Sequence, residues 1–249
     1  MKARNIAWLI VGTVALAIAA TMYVRISNAG IMHIDVDAAT FPVRGVDISA
    51  HNGHVDFERL RDAGVDFVYI KATEGATWRD SLYEHNYRAA IDAGLTVGVY
   101  HFFRFNVEGW RQSVNILRAT RNRRIDLPIA IDVEEWGNPG EYAAEDIISN
   151  LRSMVELLRQ GGREVIIYTN KNGYYRYIRG HFDDVALWIC SFTNPPIRER
   201  KRWTLWQHSH IGSIDGIRGN ADFNTFNSPA LGDFNDYLRS HPGISSINF

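Results

Sequence analysis

The sequence predicts an α/β protein built as a TIM-like barrel, a modified (β/α)5(β)3 arrangement preceded by an N-terminal transmembrane or signal segment. Three observations lead there. Short apolar runs of strand length alternate with stretches of helical period between Arg44 and Thr169. Beyond Thr169 the helical periods fade while strand-like runs continue. Polar residues gather at the C-terminal ends of these strands, where such a barrel carries its chemistry. A doubly wound open sheet is the rival. The absence of G-x-G-x-x-G after the first strand weakens its dinucleotide-binding version.

The elements follow in order. Arg44–Ser49 reads as a strand, Asp56–Ala63 as a helix closed by Gly64, and Asp66–Ala72 as a second strand. Leu82–Ala93 is a helix closed by Gly94, Leu95–Phe103 the third strand and Val107–Thr120 a helix. Leu127–Glu134 is the fourth strand, Ala143–Gln160 a long amphipathic helix and Arg163–Thr169 the fifth strand. Val185–Ser191 and Trp203–Ser209 are the sixth and seventh, and Asp222 and Asn224 lie in a late loop or strand.

Ahead of the barrel, Lys2 and Arg4 precede the uncharged apolar stretch Ala7–Val24, which Arg25 follows. Residues 1–29 are therefore expected to be an export signal retained as a membrane anchor, with the barrel outside the cytoplasmic membrane. Cleavage after Ala29, giving a secreted protein, is the alternative. Residues 30–42 read as a short tether, 43–227 as the barrel and 228–249 as a tail that either packs or stays unordered.

At 249 residues, 46% hydrophobic and 22% charged, the chain can bury a large core. A net charge of -1 and the lack of basic runs interleaved with aromatics give no electrostatic case for nucleic acid. Cys190 is the one cysteine, so no internal disulfide or cysteine metal cluster can form. LWICSF around it reads as core strand, with no Cys-His pattern. No H-E-x-x-H occurs, and His51, His54, His101, His208 and His210 are not at zinc spacing, so no metal or cofactor is expected.

The chemistry concentrates in the fourth strand. Leu127, Ile129, Ile131 and Val133 share one parity, which sends Ala130, Asp132 and Glu134 to the other face. Two residues of strand rise about 6.6 Å, within the carboxyl separations of about 5–9.5 Å used by glycosidases. Strand-end acids also cap helices or pair with Arg, so the spacing alone does not decide. Other strand ends add Asp47, Ser49, Lys71, Glu74, Tyr100, His101, Tyr168 and Gln207. Of these, Asp47, Lys71, Tyr100, Tyr168 and Gln207, together with Asp222, are candidates to contact a substrate. Lys71 and Glu74 equally suit a structural ion pair at the mouth. Trp136 is the best candidate to stack on a sugar, whereas Trp188 and Trp203 read as core.

Taken together, GVDISAHNG, DFVYIKATEG, AGLTVGVYHFF, PIAIDVE, the LW of LWICSF, LWQHS and GIRGNADFN resemble, in order and spacing, the family-25 glycoside hydrolases, lysozyme-like muramidases. The resemblance runs from about Arg44 to Phe226. It implies a modified β/α barrel that cleaves the β-1,4 bond between N-acetylmuramic acid and N-acetylglucosamine in peptidoglycan glycan strands. Glu134 matches the general acid and Asp132 its partner carboxylate, which either orients the substrate's N-acetyl group or stabilises the cationic transition state. Asp47 and Asp222 match further acids of the groove, and Tyr100 a tyrosine near the reacting sugar. Asn52 and Phe192 depart from the family's usual Gln and Tyr. A non-catalytic wall-binding barrel and an N-acetylhexosaminidase acting on chitin-like chains are the alternatives.

Overall fold

Nine strands make one sheet in the computed structural model, which describes residues 33–199, 202–228 and 231–240. They are β1 (Arg44–Ile48), β2 (Phe67–Glu74), β3 (Trp78–Arg79), β4 (Thr96–Phe102), β5 (Ile129–Asp132), β6 (Val165–Asn170), β7 (Ala186–Cys190), β8 (Leu205–Gly212) and β9 (Ala221–Phe226). The order β1-β9-β8-β7-β6-β5-β4-β2 is closed by pairing of β1 with β2, giving an eight-stranded barrel with the two-residue β3 on the edge of β2. β9 alone of the eight runs antiparallel to both neighbours. The late segment carrying Asp222 is thus the eighth barrel strand.

Helices α1 (Phe57–Asp62), α2 (Tyr83–Asp92), α3 (Gly109–Ala119) and α4 (Ala144–Gln160) occupy the expected crossovers. After β6 only one α-turn, Lys171–Gly173, continues as a π-turn over Tyr174–Ile178. That shortness is why the helical period fades there.

The core has two shells. Ile129, Ile131 and Val133 face outward and pack in one cluster with Leu151, Met154 and Leu158 of α4. Ala130 faces inward with Phe67, Tyr69, Ile166, Tyr168 and Trp188. Alternation thus holds along β5 and turns Asp132 into the barrel, although Leu127, ahead of the strand, sits in the inner cluster. Large inner aromatics require small partners opposite. A Cβ on Gly98 would lie 2.5 Å from the Tyr69 ring, so glycine there makes the filled interior possible.

Three expectations change or go untested. Residues 33–41 do not hang free as a tether: Ile34 N–H donates to the His208 carbonyl at 2.9 Å, and Phe41 packs 5.9 Å from the rings of Trp203 and Trp206. The apolar residues Ile34, Val36 and Phe41 drive this docking. The tail contains helix α5 (Leu231–Ser240), whose Phe234 packs against Phe67 and Phe226 at 5.7 and 5.2 Å between ring centres. The expected anchor at 1–29 lies outside the described residues, and among the described ones no helix is long and apolar enough to cross a membrane.

Candidate active site

Asp132 ends β5 and is 9% exposed, and its Oδ1 has no hydrogen-bond partner among the described residues. The backbone beyond it is held on both sides. Phe103 N–H donates to the Asp132 carbonyl, and Val133 N–H to that of Tyr168, each at 2.9 Å. Asn138 fixes the following turn. Its amide nitrogen donates to the carbonyls of Glu134 (2.8 Å) and Phe103 (3.0 Å), and its oxygen accepts from Phe105 N–H (3.0 Å). Glu134 is therefore presented by a turn whose backbone groups are satisfied from the neighbouring strand end.

Asp47 on β1 stands opposite Asp222 on β9 in the antiparallel register. Asp47 Oδ2 accepts from Gln207 Nε2 at 2.8 Å and from Asn224 Nδ2 at 2.7 Å. Tyr168 donates to Gln207 Oε1 at 2.7 Å, and Trp188 Nε1 to Asn224 Oδ1 at 2.8 Å. One chain of hydrogen bonds thus crosses the barrel through β6, β8, β1, β9 and β7, and it spends the polar atoms of Tyr168 and Gln207 on holding Asp47. Both read from sequence as substrate contacts, and both are buried in this network. Lys71 is likewise engaged, 2.8 Å from Glu74 and over the rings of Trp78 and Phe102 at 4.9 Å each.

The acids share one electrostatic field. Burial raises Asp132 well above the ordinary carboxyl range, with Glu134 adding to it and Lys71 opposing. Burial likewise raises Glu134 to about 7, His210 opposing and Asp222 adding. Asp47 is raised by burial and then by Asp222. Burial, followed by Asp47, Asp132 and Asp222, pushes the Tyr100 phenol up, so it keeps its proton at the centre of the acids. Asp47, Asp132, Glu134, Asp222 and Tyr100 therefore form one cluster at the C-terminal mouth. Trp136 follows it at 78% exposure.

The sequence matches a known family over most of the barrel: the profile described as Glycosyl hydrolases family 25 fits residues 46–217. The chain belongs to that family. The autolytic lysozyme of Clostridium acetobutylicum is 34% identical over 189 residues, 76% of this chain and 57% of that protein. A family 25 glycosyl hydrolase from Bacillus anthracis superposes with a TM-score of 0.74 at 30% identity, covering 82% of this chain and 96% of the other. The bacterial lysozyme of Streptomyces coelicolor gives 0.72 at 26% identity, with 80% and 98% covered. The chain is thus a glycoside hydrolase.

Within this hydrolase the site holds residues that sequence reasoning missed. Cys190, read as a core thiol without a histidine partner, has its Sγ 3.4 Å from His210 Nε2. His210 Nδ1 donates to Asp222 Oδ1 at 2.9 Å. Burial would lower His210, but the hydrogen bond to the Asp222 carboxylate outweighs it and raises the ring well above its ordinary range, so the ring is an imidazolium. The Cys190 thiol is raised by burial. Asp80 is a second omission: buried at 4%, it accepts from the backbone of Ala50 and Leu82 at 3.0 and 2.9 Å and so pins the β1 exit loop. Asn52, one of the two departures, uses its side-chain oxygen on Ser49 N–H at 2.9 Å. His101 is a satisfied core residue between Thr73 and Gln112, at 2.7 and 3.0 Å. Among the described residues no group of three or more His, Cys, Asp or Glu is arranged to hold a metal ion.

Proposed function

We propose that the protein is a muramidase that hydrolyses the β-1,4 bond between N-acetylmuramic acid and N-acetylglucosamine in peptidoglycan. The observation that carries this reading is the Asp132–Glu134 pair, two carboxyls at one strand end with affinities for protons raised by burial. Cutting an acetal requires a proton on the leaving oxygen and negative charge beside the oxocarbenium ion. Titrating near 7, Glu134 holds its proton at mildly acidic pH and delivers it to the glycosidic oxygen as the C1–O bond breaks. The two carboxyls share their protons as a pair, so while Glu134 holds one, Asp132, beside Lys71 and with its Oδ1 unspent, carries the charge that faces the developing cation or orients the substrate's acetamido group to attack C1. Water then completes the substitution at C1 and returns a proton to Glu134. Tyr100 supplies a protonated phenol beside the reacting sugar, and Trp136 a face on which a sugar can stack.

Support for the substrate comes from the relatives, named as an autolytic lysozyme and a bacterial lysozyme. The same reading puts the barrel outside the cytoplasmic membrane, anchored by Ala7–Val24, since Lys2 and Arg4 precede that stretch.

Release of reducing ends from purified cell wall tests the activity. Glu134→Gln should abolish it while leaving the circular-dichroism spectrum unchanged. Saturable wall binding by the unmutated protein without new reducing ends would instead make the barrel a binding module. Turnover of chitin oligomers with none on cell wall would make it an N-acetylhexosaminidase.

A further inference from the structure

We propose that a basic cavity beside the catalytic mouth binds the carboxylate-bearing peptide stem of peptidoglycan, a role that rests on the muramidase reading. The cavity, of about 610 Å³, opens where the segment after β6 meets the segment after β7. Both segments leave C-terminal strand ends, so it lies on the same face as Asp132 and Glu134. Lys171, Arg179 and Arg198 line it against one carboxylate, Glu199, with Tyr175 and Thr193 between. Arg179 takes that carboxylate at 3.3 Å. Lys171 Nζ donates to the Thr193 hydroxyl at 2.5 Å, and neither Lys171 nor Arg198 has a carboxylate partner among the described residues. Two positive charges are therefore left for a ligand.

Both walls are tied to the acids. Glu135, next to the proposed acid, accepts from Asn172 and Tyr177 at 2.8 Å each and pairs with Arg176, which fixes the turn carrying Lys171 and Tyr175. Beside the other wall, Phe192, the neighbour of Thr193, packs 5.1 Å from the His210 ring, and His210 holds Asp222. The cavity and the acids thus share one face of the barrel and are joined through Glu135 on one side and Phe192 and His210 on the other. Where its lactyl carboxyls are amidated by the peptides, the glycan backbone is neutral and gives surplus cations nothing to bind. The peptide attached to the muramyl lactyl group carries free carboxylates and amides, and it matches cationic and aromatic walls in a cleft of this volume.

Steady-state hydrolysis by the full chain is compared on glycan strands that carry their peptides and on strands stripped of them by an amidase, which keep only the short lactyl carboxylate on the sugar ring. For Lys171→Glu and Arg198→Glu, KM on peptide-bearing strands should rise about fivefold or more with kcat kept, and stay within about twofold on stripped strands. Equal changes on both substrates, or on neither, would overturn the assignment. Calorimetric titration with a soluble muramyl peptide gives a readout independent of turnover: binding should be measurable and weakened by Lys171→Glu. No binding of the muramyl peptide, or binding of a poly(glycerol phosphate) chain in its place, overturns the peptide site. Absence of turnover on both strand types by the unmutated protein counts against the muramidase reading instead.

Discussion

His210 Nδ1 donates to Asp222 Oδ1 at 2.9 Å, and the imidazolium held by that bond acts on Glu134 as a nearby positive charge. It lowers the acid's affinity for its proton against the upward push of burial. Replacing His210 with Gln removes the cation and leaves Asp222 as an uncompensated anion, and both changes act in the same direction. The basic limb of kcat/KM, expected near 7, should move upward by about one pH unit. A limb that stays in place shows that His210 serves only packing.

Why this residue escaped the sequence is a matter of register. Along β8, strict alternation sends Leu205 and Gln207 inward and Trp206, His208 and His210 outward. His208 obeys, with its ring near His33 and Phe223. The pairing with β9 then slips between Gln207 and Ser209 and again before Gly212, and each extra residue rotates the strand. His210 is turned inward onto Cys190 and Asp222, an inversion that no pattern in LWQHSHIG announces. β5 carries no such bulge, so the parity of IAIDVE placed Asp132 correctly from sequence. The strand ends were legible because polar residues interrupt apolar runs. The roles of Tyr168 and Gln207 were not, because a hydrogen bond spanning 39 residues leaves no local trace.

Residues 33–41 give a prediction about the N-terminal boundary. Deleting residues 1–29 should yield a soluble barrel, whereas deleting 1–42 removes Ile34, Val36 and Phe41 from the face of Trp203 and Trp206. The longer deletion should lower the thermal midpoint by several degrees relative to the shorter one. Equal midpoints would mean that the docked segment contributes no stability.

Phe234 makes the same point at the other end. It is 3% exposed, between Phe67 and Phe226, so Phe234→Ala should cost about 3 kcal/mol in denaturant unfolding. The turnover number should be unchanged, since the acids lie at the opposite end of the strands. Loss of activity in parallel with stability would link α5 to the site.

Glu134 should make stability depend on pH. Its value in the folded protein, about 7, lies above its ordinary 4.5, so folding favours the neutral acid. That contribution is complete below about 4.5 and is lost as pH rises through 7. The span of 2.5 pH (7 − 4.5) corresponds to about 3 kcal/mol. Glu134→Gln cannot ionise, so by denaturant titration it should be more stable than the parent at pH 8 and equal to it at pH 4. The reverse order at pH 8 would show that the carboxylate is welcome in the fold.

Asp132 carries the sharpest test of the paired-carboxylate mechanism. Burial and Glu134 raise Asp132, and the two carboxyls titrate as a pair whose later proton is held more tightly because the first has left a charge beside it. Asp132→Asn removes the like charge and should shift the basic limb of residual activity downward from about 7. It also removes the group beside the cationic transition state, so kcat should fall by well over tenfold. Activity on cell wall, followed across pH for the variant and the parent, separates the two effects: the position of the limb reports coupling and its height reports catalysis. A limb that does not move, with a rate loss below about tenfold, would remove Asp132 from the mechanism and leave Glu134 to act with Asp222 across the groove.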